Sequence, residues 1–249
     1  MTRTPDLNAT VDEYEAAQRA VITTWKAQQA SKMDRESMRR ASSAALSTCA
    51  TNWEWFRSDW HKKAIAKNAT VYRQALVAKI QGLLEQDPDV GRPLVRALTA
   101  EGVALDVHLL RTPTFSTVSR ILDPSGGNVT FRSQAESDKV ADKHLDPRYA
   151  LKVKSLTRND WLIIIVMIAI RNTLAHSSTR SVDAMNEAMQ NASGSGSPDV
   201  RALARTGNRV TRSGVGAYLH AVAPRTGTNT TRAMLICEHM LSLGSKFRV

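Results

Sequence analysis

The chain has 249 residues, of which 42% are hydrophobic and 23% charged, a balance close to that of soluble globular proteins that excludes disorder as its default state. Lys and Arg number 34 against 23 Asp and Glu, and the formal charge of +11 favours polyanionic partners such as nucleic acid or an acidic membrane face. Cys49 and Cys237 lie far apart with no CxxC pattern and no histidine at ligand spacing, which argues against a disulfide framework or a zinc site.

The opening MTRTPDLNAT lacks the apolar core of a signal peptide, and the most apolar run, Trp161 to Ile170, is far shorter than the roughly 20 residues that span a bilayer. A cytoplasmic, soluble protein is the expectation. Residues 10 to 48 have helix-forming composition with a thin apolar stripe, which predicts one or two long, partly exposed helices. Next, Ala69, Tyr72, Leu76, Ile80 and Leu83 recur at three- and four-residue intervals and predict a core helix. Asp87, Pro88, Asp89 and Gly91 break it. Leu94, Leu98, Leu105 and Leu109 then share one side of a further helix, with Gly102 as its weak point and Pro113 as its stop.

Pro113, Pro124, Gly126 and Gly127 mark residues 111 to 132 as a connector, within which Asn128 to Phe131 are read as extended or as a short strand. Ser133 with Glu136 forms a capping box that opens a helix carrying Val140, Ala141 and Leu145 and ending before Pro147. Thr157 with Asp160 opens another, ahead of the run Trp161 to Ile170. That run is β-branched enough for a buried strand, but its length, its cap and the lack of a partner strand favour a central helix. Ser177, Ser178 and Thr179 mark a bend, Val182, Met185 and Met189 a further helical face, and Asn191 to Pro198 a flexible linker. Beyond it a basic segment carries a helix from Thr231 to Leu243 built on Met234, Cys237 and Leu241. The reading is all-α, with a helical extension at 1–60, a helical domain at 61–192, and a linker with a basic helical segment at 193–249.

Chemistry concentrates where the apolar helix ends, at Arg171, Asn172 and His176. Polar groups beside such a core are costly to bury unless they are paired or line a cleft. At 100° per residue Asn172 and His176 share a face one turn apart and Arg171 borders it, so the three can converge on one pocket. The set suits RNA cleavage by attack of the ribose 2′-hydroxyl: imidazole moves protons near neutral pH, guanidinium holds phosphate, and an amide orients the reacting groups. It requires no metal and no other cofactor.

The segment Arg171-Asn172-Thr173-Leu174-Ala175-His176 resembles the RNxxxH form of the HEPN motif, and the apolar helix before it and the small Ala175 fit that family too. The resemblance covers roughly residues 65 to 190. It implies a HEPN-like helical bundle, a homodimer with a composite site, and an endoribonuclease with catalytic Arg171, Asn172 and His176 that leaves a 2′,3′-cyclic phosphate and a 5′-hydroxyl. It also implies a toxin–antitoxin or anti-phage setting, with an antitoxin or sensor protein as a partner. Two alternatives stay open: a non-catalytic HEPN-type module that binds RNA or nucleotide, and a basic helical DNA-binding or scaffold protein. A helix C-terminus with cationic groups answering its dipole would explain the triad without any site.

Elsewhere, Arg180 is the best single choice for an added RNA phosphate contact. Trp53, Trp55, Phe56, Trp60, His61, Lys62 and Lys63 are read as helix-packing residues in preference to a base-stacking platform, with His61 at the core boundary. His108, His144, His220 and His239 have no catalytic partner nearby in sequence. Arg201, Arg205, Arg209 and Arg212 form either a basic helical stripe that touches RNA or a solvated face, with Gly207 and Gly214 weakening the helix.

Overall fold

The computed structural model describes residues 5–106, 111–123, 128, 129, 131, 133–176, 178–205, 207–224 and 229–249. His108, Leu109, Pro124, Gly126, Gly127 and Ser177 lie outside the described residues. Among the described residues the fold is all-α and has no strands; an isolated antiparallel bridge joins Val222 to Thr231. No described helix is long and apolar enough to cross a membrane.

Two long helices form the frame. Helix α1 (Leu7–Ala30) starts at Asp6, whose carboxylate accepts from the amides of Asn8 and Ala9, and α2 (Arg35–Lys67) starts likewise at Asp34. Both are buried along one side and exposed along the other, the partial exposure expected of them. Their stripe reads as thin because several buried positions are polar: Gln18 donates to the Cys49 carbonyl at 3.0 Å, and Trp25 Nε1 donates to Ser42 Oγ at 3.3 Å. Asn68 ends α2. Its Oδ1 accepts from the Thr70 amide at the start of α3, and its Nδ2 donates to Asp146 at 2.7 Å.

Helix α3 (Thr70–Gln86) forms as its periodicity predicts, but it is not core. Tyr72 is its one buried residue, while Ile80 and Leu83 are 38% and 58% exposed. Periodicity identifies a face without saying what covers it. Gly91 begins α4 (Gly91–Ala100), and a Cβ there would lie 2.0 Å from the Leu84 carbonyl oxygen, so this turn requires glycine. Gly102, at φ +67°, follows the end of α4, and Leu105 lies beyond the helix.

The expected connector contains α5 (Phe115–Leu122), which seats Val118 in the core. Asn128 and Val129 form no strand. The capping box at Ser133 opens α6 (Gln134–His144), and α7 (Pro147–Lys154), a short helix with Pro at its first position, follows at once. Next come the apolar α8 (Arg158–His176), α9 (Thr179–Ser193), α10 (Pro198–Ala202), α11 (Val215–His220) and α12 (Arg232–Leu243), the last capped by Thr231. A 3₁₀ turn, Gly244–Phe247, closes the order.

The boundary drawn between residues 60 and 61 falls inside α2, and the hydrophobic core draws on residues from Leu7 to Phe247. Its centre is aromatic. Tyr14 stacks on Phe56 with ring centroids 4.3 Å apart, and Phe247 meets Phe56 and Trp60 edge-on at 5.3 and 5.2 Å. The Tyr14 hydroxyl donates to the Met240 carbonyl at 2.6 Å. Trp53, Phe56 and Trp60 are therefore packing residues, while Trp55 is exposed. Lys62 pairs with Asp123, and Lys63 with Asp59, so these lysines serve the fold. The expected linker Asn191 to Pro198 is shorter and pinned: Asn191, Ala192 and Ser193 end α9, Pro198 begins α10, Ser195 between them donates to Asn159 at 2.9 Å, and Arg201 donates to the carbonyls of Ser195 and Gly196.

His61 is fully buried, not at the boundary of the core, and its ring nitrogen lies 3.3 Å from that of His144. Burial, reinforced by His144 and Arg57, holds the His61 imidazole well below its usual range, and burial with the neighbouring Lys143 lowers His144 to about 4. Both rings fold neutral, whereas the unfolded chain protonates them below about pH 6.5. Stability is therefore complete above that pH and falls as pH drops from about 6.5 through about 4, the folded value of His144, and further still for His61. Urea unfolding at pH 7 and pH 5 should show a loss on the order of 2 kcal/mol, reduced in His144→Gln; equal stabilities at both pH values would contradict it.

Candidate active site

The site stands on the α8–α9 corner. Thr157 and Asp160 cap α8 reciprocally: the Thr157 amide and hydroxyl donate to Asp160 Oδ2 at 2.6 and 2.8 Å, and the Asp160 amide donates to Thr157 Oγ1 at 3.2 Å. Asp160 is also held by Lys246 at 2.6 Å and His239 at 3.1 Å. Burial pushes its carboxyl up, but the bonds from His239, Lys246 and Thr157 outweigh that and hold it well below the usual carboxylate range. From this anchored start α8 buries Ile163, Ile164, Val166, Met167 and Ile170 and packs against α2, α9 and α12. At its far end the Thr173 hydroxyl lies within hydrogen-bond distance of the Ala169 and Ser181 carbonyls, at 3.0 and 2.9 Å, which fixes the corner.

The corner encloses an open cleft of about 620 Å³ whose lining includes Asn172, His176 and Arg180. Ser178, Ser181, Glu187 and Asn191 complete its polar wall; Ile165, Ile168, Ala169 and Phe131 are among its apolar residues. His176, the last residue of α8, is exposed, and its ring makes no hydrogen bond among the described residues. Arg180, in the first turn of α9, lines the same cleft.

Arg171 does not line this cleft. Turned toward α2, its Nη2 donates to Glu54 Oε2 at 2.7 Å and its Nη1 to Asn172 Oδ1 at 3.0 Å. It lines a second cavity, of about 260 Å³, with Trp53, Glu54, Arg57 and Trp161. Asn172, Ile168 and Phe131 line both spaces, so the arginine and the histidine lie on either side of a shared wall. Arg171 and His176, five residues apart, project about 140° from each other around α8, which accounts for the split. Glu54 was invisible to sequence reading because it lies 117 residues from its partner.

The arginines beyond α9 form no helical stripe. Only Arg201 lies in α10; Arg209 pairs with Asp183, and Arg205 reaches the Gly207 carbonyl. Among the described residues no three His, Cys, Asp or Glu side chains gather closely enough to hold a metal ion. Compared with protein-family models, with curated proteins and with solved structures, the chain matches none.

Proposed function

We propose that the chain is a metal-independent endoribonuclease of the HEPN type, acting as a cytoplasmic homodimer in a toxin–antitoxin or anti-phage system. The observation that supports it is the shared cleft of Asn172, His176 and Arg180, with Arg171 behind the same wall. In this reading His176 moves the proton of the 2′-hydroxyl or of the leaving oxygen, and Asn172 orients the reacting groups. Arg171 stabilises the charge of the pentavalent phosphate, which requires its fork to leave Glu54 or to share it. Arg180 holds a neighbouring phosphate. A second protomer, with its own exposed His176, completes the site.

The purified chain should cut single-stranded RNA in EDTA and leave a 2′,3′-cyclic phosphate and a 5′-hydroxyl, identified by end-group analysis. Strict dependence on added magnesium or manganese would overturn the chemistry. One contact favours a second reading, a binding module without catalysis: the Arg171 charge is already answered by Glu54. Saturable binding of an RNA oligonucleotide with no cleavage under any condition would decide for that reading.

A further inference from the structure

Arg57, in the middle of α2, is 2% exposed, yet among the described residues no carboxylate lies within ion-pair distance of it. Its guanidinium carbon lies 4.6, 5.1 and 5.7 Å from the ring centroids of Phe247, Phe131 and Trp53. One terminal nitrogen, Nη2, donates to Ser137 Oγ at 3.2 Å, and Asp138 favours the charge from farther off. Nε and Nη1 have no partner among the described residues. Burial lowers the group to about 9, which leaves it cationic at neutral pH. Aromatic faces return only part of what a buried cation loses on leaving water, so this charge lacks its natural counterpart.

The surroundings indicate what that counterpart is. Arg57 lines the ≈260 Å³ cavity, and so does Trp161, whose indole N–H is also buried without a partner among the described residues. Arg171 and Asn172 line it from α8. The carboxylate of Glu54 and the Asn172 carbonyl, both on this lining, accept from Arg171. Two guanidiniums and an unpaired indole N–H in an aromatic-walled space complement a compact anion rich in acceptor oxygens, and a guanidinium fork matches phosphate in shape as well as charge.

We infer that the cavity between α2 and α8 is a phosphate-binding subsite built on Arg57, with Arg171 as its second cation. Because Asn172 and Phe131 line both spaces, a polyanion in the His176 cleft would present an adjoining phosphate to it. The subsite does not depend on the nuclease reading, since a free phosphate would bind whether or not RNA is cut.

The test is calorimetric titration of the full chain, at constant ionic strength maintained with chloride, with inorganic phosphate and with a short 2′-deoxy oligonucleotide that lacks the attacking hydroxyl. Saturable binding of at least one probe is expected. Binding of the oligonucleotide alone assigns the subsite to backbone phosphodiesters, and binding of inorganic phosphate assigns it to free or terminal phosphate. Arg57→Met, which keeps length and apolar contact, should weaken binding by about 10- to 100-fold, the worth of a charge-assisted bond. Glu54→Gln, at the edge of the core, removes the competing carboxylate and should tighten it several-fold. If neither probe saturates, or if folded Arg57→Met binds as the wild type does, the subsite is wrong. Should Arg57→Met fail to fold, Glu54→Gln decides: unchanged or weaker binding overturns the proposal.

Discussion

Replacing His176 by alanine should abolish RNA cleavage and leave the fold unchanged. The imidazole is exposed and makes no hydrogen bond among the described residues, so its removal opens no cavity and orphans no partner. What it removes is a positioned proton carrier, whose loss typically costs about 10²–10⁴-fold in rate. A histidine that merely answers the helix dipole would change stability by about 1 kcal/mol or less with cleavage retained. Circular dichroism and a cleavage assay on the same sample separate the two outcomes, and a folded variant that cuts at the wild-type rate places the chemistry elsewhere. Arg171 is a less clean target, because Arg171→Ala also leaves Glu54 without its ion pair. Arg171→Lys keeps the charge facing Glu54 while losing the fork, and it should lower turnover without the stability loss of the alanine variant.

Asp160→Ala should be the most damaging single change to the fold outside the aromatic core. One carboxylate caps α8, pairs with Lys246 and pairs with His239, and the residue is 4% exposed. Removing it leaves the Lys246 ammonium and the His239 ring without their partner at an apolar helix start and deletes half of the capping box, for which about 3–5 kcal/mol is the expected cost. At this chain length that is a fall in Tm of about 10 °C. A fall of one or two degrees would mean that the contacts are no better than surface ion pairs. Because the folded carboxyl is held below its usual range, its contribution is complete above the unfolded carboxylate value near 4 and is lost as pH falls through that region and below. The histidine contribution starts to be lost already below about pH 6.5, so stability should begin to fall with pH before the Asp160 carboxylate is protonated.

The parts legible in the sequence are those written in neighbouring residues. The caps at Ser133 and at Thr157 with Asp160 act over three positions, and both stand where their spacing places them. The helical state of Trp161 to Ile170 followed from length and cap together. What stayed hidden depends on partners distant in sequence: Glu54 against Arg171, His61 against His144, and Lys246 and His239 against Asp160. Short helices such as α5 and α7, flanked by Pro and Gly, give too few turns for periodicity to register. The Gly- and Ser-rich stretch before Pro198 has the composition of a linker, yet hydrogen bonds to Asn159 and Arg201 hold it. At the candidate site, the sequence supplied the three side chains and their common helix, whereas the division of Arg171 from His176 across two cavities needed the position of α2.

The aromatic centre has a consequence for biosynthesis. Tyr14 and Met240, joined by a hydrogen bond, lie 226 residues apart, and the ring that closes over Phe56 and Trp60 comes from Phe247. Contacts of such sequence separation form late, since the entropy of closing the intervening loop must be met before they contribute. A nascent chain leaving the ribosome can wind its helices in order, but it cannot seal its interior until translation has passed Phe247. Until then the cation of Arg57 lacks one of its covering rings, and Asp160 gains His239 and Lys246 only shortly before.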